Sequence, residues 1–323
     1  MLKNPVIAML LCACLVQAKP VDTVVFIKDN AVYLSNTNSN SARQMPNSVG
    51  AFLASLSPDG QYLVYFAGSS QNPRGFFCRV PFLTCQKLKL TSKVVYGFMW
   101  SGTGNRFFLA QQTSSVLISL PSMNMKTYKF FPRGISGDGL TLAYTTPTDI
   151  RVDVAGKQRI VFAVPKSQNA LNWAFGGISL STDGQQLYFA SNAGNGISDA
   201  GTTRWRWYVV NTNGGKPKAL KLPAFTGRIP DSVELSRDNK KMVFAFANQN
   251  SSSLFLLNIQ HNELRTMAQN PNGSLNGTFS KDSRFLAIGS SDLQNGALVS
   301  DVRIVNLAGV PSQIVLGASQ YTW

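Results

Sequence analysis

Catalysis needs ionisable or nucleophilic groups that converge, and this chain offers few of them. Among 323 residues it has one histidine, His261, four cysteines and 15 aspartates and glutamates. His261 stands in Gln260-His261-Asn262-Glu263, a polar run suited to a hairpin turn, with no orienting partner beside it. Cys78 and Cys85 have six residues between them and no further Cys or His nearby, which is a poor zinc site. No G-x-S-x-G, H-E-x-x-H or phosphate-cradling glycine loop occurs; Gly134-Ile135-Ser136-Gly137-Asp138-Gly139 has the glycines of such a loop but belongs to a repeat described below. Asp231 with Glu234 is the closest acid pair in a connecting segment, read here as a solvated pair where a loop meets a strand. No catalytic, metal or cofactor residue is therefore assigned, and no cofactor is expected.

The charge balance points elsewhere. Thirty Lys and Arg face the 15 acids, giving a formal net charge of +15, yet charged residues make up only 14% of the chain. The imbalance comes from missing acids rather than added bases, so the dense basic blocks of a nucleic-acid tail are absent and no nucleic-acid partner is expected. An apolar fraction of 44% is ample for a buried core.

At the N-terminus, Lys3 precedes the apolar run Val6–Val16, eleven residues where a bilayer span needs about 20. Val16-Gln17-Ala18 has the small-residue pattern of a signal-peptidase site, which predicts a removed secretory signal over 1–18 and a single mature domain over 19–323. Leu11-Cys12-Ala13-Cys14 also fits a lipobox with Cys14 as the lipidated residue, although Cys at its second position is atypical. Both readings export the chain to a periplasm, the second with attachment to the outer membrane. In that oxidising compartment Cys78 and Cys85, facing each other across a hairpin turn at Pro81-Phe82, are expected to form a disulfide.

Positioning falls to a repeat. SPDGQYLVYFA from Ser57 recurs as SGTGNRFFLAQ from Ser101, SGDGLTLAYTT from Ser136, STDGQQLYFAS from Ser181, SRDNKKMVFAF from Ser236 and SKDSRFLAIGS from Ser280. Each serine follows an apolar residue, and apolar residues two apart come after each turn, for example Leu63 and Tyr65 or Met242 and Phe244. Each unit thus reads as strand, tight Asp/Gly turn, strand. Two more strands follow, such as Trp205 to Val210 and Pro217 to Leu222. Four short antiparallel strands per unit of about 40–45 residues make a propeller blade.

The serines are spaced by 44, 35, 45, 55 and 44 residues, so the chain beyond residue 18 holds close to seven units. The fold class is therefore all-β, a seven-bladed β-propeller whose seventh blade is split between the ends. Val25 and Ile27 occupy the places of Leu63 and Tyr65, and a last strand over Gly317–Trp323 is expected to pair with the N-terminal strands and close the ring.

The S-x-D-G hairpin followed by alternating apolar residues resembles the TolB-type propeller repeat, a relative of WD-repeat units, over essentially the whole mature chain. The sequence departs from TolB in showing no counterpart of its separate α/β domain and in having seven blades rather than six. What the resemblance implies is a periplasmic, usually non-catalytic platform for binding other proteins.

Five of the acids, Asp59, Asp138, Asp183, Asp238 and Asp282, occupy one position of the turn, where their side chains are expected to bond the turn backbone. What remains is strongly basic: no acid lies between Asp59 and Asp138, nor over 200–230, and the two runs are expected to form a positive belt over blades 2, 3 and 5. The longest connections are expected at Gly68–Arg74, Ser191–Thr203, Pro223–Ser232, Ala247–Ser253 and Ser291–Ser300, all on the face opposite the S-x-D-G turns. Arg74, Lys93, Arg133, Lys166, Arg204 and Arg228 fall on that face and are the candidate partner-binding residues. Arg204, Arg206 and Tyr208 form one side of a strand whose other side, Trp205 and Trp207, is expected to pack between blades.

The function expected is a non-enzymatic scaffold or subunit of a cell-envelope assembly, with other envelope proteins as partners and an anionic surface as a further one. The alternative is a binder of cell-wall or lipopolysaccharide saccharides through the Arg204–Tyr208 strand. The third is a lyase or hydrolase using Asp231 and Glu234 in the channel.

Overall fold

A computed structural model describes residues 23–322 apart from 37–41, 70, 81–83, 91–93, 167–168, 170–172, 193–202, 224, 227–229, 231–232, 248–250, 272, 281, 295–296, 308–310 and 317. The described residues form seven antiparallel sheets and no helix. Six sheets are built from consecutive strands, and each is one blade. Blade 1 is composite: Ala318–Thr322 supplies its first strand, beside Thr23–Lys28, Ala31–Asn36 and Ala42–Gln44. Phe26 lies opposite Tyr321 and Ile27 opposite Gln320, so the ring closes as the sequence predicts.

The turns explain why the motif recurs. In blade 2 the buried Ser57 hydroxyl donates to Asp59 Oδ1 at 2.5 Å and accepts from the Tyr62 amide at 2.8 Å. Asp59 Oδ1 also accepts from the Gln61 amide at 3.1 Å. The same three bonds recur around Ser136 and Asp138, Ser181 and Asp183, Ser236 and Asp238, and Ser280 and Asp282. Blade 3 has Thr103 in place of the aspartate, and Asn105 Oδ1 accepts from Thr103 and Ser101 instead. The fourth residue of each turn is left-handed, with φ of +73° at Gly60 and +57° at Asn239 and Ser283, which is why glycine fills most of these positions.

Packing follows a simple rule. The second strand of blade 2, Tyr62–Ser69, buries Leu63 and Tyr65 against blade 1 and Val64 and Phe66 against blade 3. Both faces are covered, so the strand reads as a continuous apolar run rather than an alternating one. Seven such clusters fill the seven gaps between blades, the last joining Val24 and Phe26 of blade 1 to Ala287, Val302 and Ile304 of blade 7. A disulfide joins Cys78 to Cys85 across the last two strands of blade 2.

Two of the expected long loops are strand instead. Residues 62–69 and 72–79 stay paired up to Ser69 opposite Asn72, and 285–294 with 297–306 up to Gln294 opposite Ala297. Gly and Ser in these stretches read as turn signals, but the backbone pairing runs on through them.

Candidate functional site: the central channel and its mouth

The first strands of blades 2 to 7 line a central cavity of about 1170 Å³. Its lining comes mainly from Tyr96–Trp100 of blade 3, 131–135 of blade 4, Phe175–Leu180 of blade 5, Val233–Leu235 of blade 6 and Thr278–Phe279 of blade 7.

One end is drawn together by the S-x-D-G turns. The Thr103 amide donates to the Gly137 carbonyl at 2.8 Å, the Gly137 amide to the Thr182 carbonyl at 2.7 Å, and the Thr182 hydroxyl to the Arg237 carbonyl at 2.9 Å. The Arg237 amide donates to Ser283 Oγ at 3.3 Å. These links tie the turns of blades 3 to 7 into a chain. The Arg237 guanidinium then reaches the Pro58 carbonyl of blade 2 at 2.6 Å.

Glu234 lies on the wall two residues before the Ser236 turn at this end. Its Oε1 accepts from the Phe279 amide of blade 7 at 3.2 Å, and Thr278 donates to it as well. Burial raises its carboxyl from 4.5 to about 7, against the pull of those two bonds and of the Arg237 charge. Burial likewise lowers the Arg237 guanidinium below its ordinary value, offset by Glu234 and Asp59. The reading of Glu234 as a solvated loop residue is thus corrected: it lines the channel half-buried, with its carboxylate held by Thr278 and Phe279 of blade 7. Its former companion Asp231 lies outside the described residues. Among the described lining residues Glu234 is the one acid, so no carboxylate pair faces the channel there.

The opposite end is wide and aromatic. Tyr96 is 66% exposed and Phe131 39%, and Gln112, Arg133, Thr145 and Phe175 line the same end. Tyr96 owes its position to a bulge: Val95 pairs with Gln111 and Gly97 with Ala110, leaving Tyr96 as the extra residue turned out of the ladder. A similar break between Gly176 and Ser179 shapes the wall of blade 5, where Gly177 sits against the Trp207 ring with no room for a Cβ.

Of the basic residues singled out in the sequence, Arg133 lines the channel. Arg74, Lys166 and Arg204 are exposed but stand apart on blades 2, 4 and 5, and Arg206 is exposed on the strand Arg204–Asn211. Lys93, Arg228 and Cys14 lie outside the described residues. Tyr208 is half-buried and stacks on Phe189 with ring centroids 5.4 Å apart. Trp205 and Trp207 are buried with Met242 and Phe244 between blades 5 and 6, as expected. The arginine side of this strand therefore carries no free aromatic ring. His261 lies exposed in the turn between Ser252–Asn258 and Glu263–Asn270. Tyr96, Phe131 and Arg237 were not marked by sequence reasoning, and Glu234 only as a partner of Asp231. The usable signal was a tyrosine beside a glycine, Tyr96-Gly97, at the start of a first strand.

No known family profile matches the chain, and no curated protein matches it in sequence. Among solved structures, the tricorn protease superposes with a TM-score of 0.64 at 8% identity over 93% of this chain, which spans 34% of that one. TolB from Acinetobacter baumannii superposes with a TM-score of 0.51 at 13% identity, covering 94% of this chain and 66% of TolB. An oligogalacturonate lyase in complex with manganese gives 0.57 at 11%, covering 91% and 83%. At such identities the likeness is one of fold.

Proposed function

We propose that this protein is an exported, non-enzymatic binding platform that seats a partner protein of the cell envelope over the wide mouth of its channel. The observation that carries the reading is the placement of Tyr96 and Phe131, two exposed aromatic rings beside Arg133, at the open end of a closed ring. Tyrosine, other large aromatics and arginine at the centre of a rigid surface are the residue types that dominate protein–protein binding energy. Val49, 70% exposed, lies in the connection between blades 1 and 2 on the same face. The likeness to TolB-type propellers supports the same reading at the level of fold.

Photo-crosslinking from position 96, with Leu140 on the opposite face as the control position, tests it. A discrete adduct from position 96 that disappears in the Phe131→Ala, Arg133→Ala variant is the expected result. Equal adducts from both faces, or none, would remove the mouth as the binding surface.

A lyase or hydrolase reading has one observation in its favour, the enclosed Glu234 beside Arg237. It lacks a second acid among the described lining residues, and the platform reading accounts for more of the site. The saccharide reading loses the exposed tyrosine of the Arg204–Tyr208 strand on which it was based, because Tyr208 is stacked on Phe189.

A further inference from the structure

The outer rim of the ring carries an electrostatic pattern independent of the channel. The outermost strands of blades 2 to 5, with their flanks at 84–90, 124–130, 157–166 and 213–222, hold ten Lys and Arg and no Asp or Glu. The acids that blades 2 to 5 do place among the described residues are turned elsewhere. Asp59, Asp138 and Asp183 bond the S-x-D-G turns, Asp149 holds Arg151, and Asp153 is buried and accepts from the Gly156 amide.

The far side of the ring is different. On blades 6 and 7 Arg265 pairs with Glu263, Arg284 with Asp282 and Arg303 with Asp301. Among the described residues no salt bridge reaches any cation of the rim stretches of blades 2 to 5. Positive charge is therefore neutralised on one side of the ring and left unbalanced on the other.

The unbalanced cations form one surface. Lys126 of blade 3 lies along blade 4, its Nζ 3.6 Å from where a Cβ on Gly156 would stand, next to Lys157. Arg159 of blade 4 donates to Asn213 of blade 5 at 2.8 Å, which brings Lys216 and Lys218 onto the same arc. Holding cations this close without an acid raises the local potential, and an anionic counterpart relieves it. Within the arc stand two exposed apolar side chains, Met125 at 41% and Ile160 at 53%, both on outermost strands.

We infer that the rim of blades 3 to 5 is a docking surface for an anionic lipid bilayer. The arc follows the convex edge of the ring and offers no enclosing cleft, so it suits a broad charged sheet rather than a single anion. Each lysine close to an anionic bilayer strengthens binding about fivefold, and Met125 and Ile160 add apolar contact at the headgroup boundary. The surface is separate from the channel mouth, so partner binding there and lipid binding here stand or fall independently.

The test is co-sedimentation of the purified chain with vesicles of phosphatidylcholine alone and of phosphatidylcholine mixed with phosphatidylglycerol, at low and at high salt. Binding to the anionic vesicles at low salt, lost at high salt and absent from phosphatidylcholine, is expected. The triple variant Lys126→Gln, Lys129→Gln, Lys157→Gln should bind about a hundredfold more weakly. Lys216→Gln, Lys218→Gln, Lys221→Gln on blade 5 provides a second rim variant, and thermal unfolding checks that each keeps its fold. Arg265→Gln, Arg284→Gln, Arg303→Gln removes the same net charge from the paired side and should bind as the parent does. Equal losses in the rim and control variants would overturn the proposal. So would binding to dextran sulfate that is matched by no binding to anionic vesicles.

Discussion

Arg237 of blade 6 donates a 2.6 Å hydrogen bond to the carbonyl of Pro58 in blade 2, three blades further round the ring. The bond joins residues separated by 179 positions in sequence and spans the turn-lined end of the channel. A hydrogen bond from a charged donor is worth about 1.5–3 kcal/mol, and this one is part-buried. Arg237→Ala should lower stability by about that amount, read as a shift in denaturant midpoint, and Arg237→Lys should recover only part of it. An unchanged midpoint in Arg237→Ala would show that the link holds nothing.

Glu234 gives the fold a signature in pH. Its carboxyl titrates at about 7 in the folded chain and near 4.5 unfolded, so folding favours the protonated form. The stability this group contributes is full below about pH 4.5 and is lost as pH rises through 7. Stability measured between those values should therefore fall with rising pH in the parent and flatten in Glu234→Gln. Equal slopes in the two proteins would contradict the enclosed position of this side chain.

The turn carboxylates act in the opposite sense. Hydrogen bonds from Ser181 and the Gln185 amide hold Asp183 below 3.8; at Asp238 and Asp282 burial pushes upward but the turn hydrogen bonds outweigh it. Their contribution is present above the unfolded value of about 3.9 and is lost as pH falls through the lower folded values. Acid titration of the folded chain should show unfolding concentrated below about pH 4.

Removing a turn serine should cost more than an exposed hydroxyl suggests. Ser236 is fully buried, donates to Asp238 at 2.6 Å and accepts from the Lys241 amide at 2.8 Å. Ser236→Ala strips both partners and should destabilise by about 1–3 kcal/mol. The matching change in blade 3, Ser101→Ala, should cost less, because Ser101 meets Asn105 at 3.3 Å in place of a turn carboxylate. Chemical denaturation of the two variants side by side checks the order.

Deleting residues 317–323 removes the first strand of blade 1 and leaves Thr23–Lys28 as an open edge. Loss of the cooperative unfolding transition, with aggregation, is expected. A truncated chain with the parent's melting temperature would break the closure scheme.

How much of this was readable in the sequence depends on the distance over which each feature is determined. The turns were readable because Ser57, Asp59 and Gly60 satisfy one another within a few residues, and the same local geometry recurs four more times, with Thr103 and Asn105 as a variant in blade 3. Closure was readable by counting, since the spacing of the serines leaves one unit short. The channel was not. Tyr96 faces the mouth because a bulge shifts the register of its strand, and an alternation count cannot see a bulge. Glu234 is enclosed by Phe279, 45 residues later, so its neighbourhood in sequence says only that it is polar and close to a loop. The pairing of the cations was more legible: Glu263 stands two residues before Arg265 on one side of a strand, whereas the sequence around Lys126 holds no acid, and only the fold sets Lys126 along blade 4.

The composite first blade also sets a timetable. Synthesis delivers Thr23–Lys28 long before Ala318–Thr322, so the earliest strands to appear wait for the latest one. Until it arrives, the hydrogen-bonding edge of Val25–Lys28 is unsatisfied and the gap between blades 7 and 1 lacks its full wall. A stalled or prematurely ended chain is thus marked by an exposed strand edge, the feature on which holding chaperones and quality-control proteases act. Closure of the ring waits on the arrival of Ala318–Thr322, which makes the fold a check that this strand has been made.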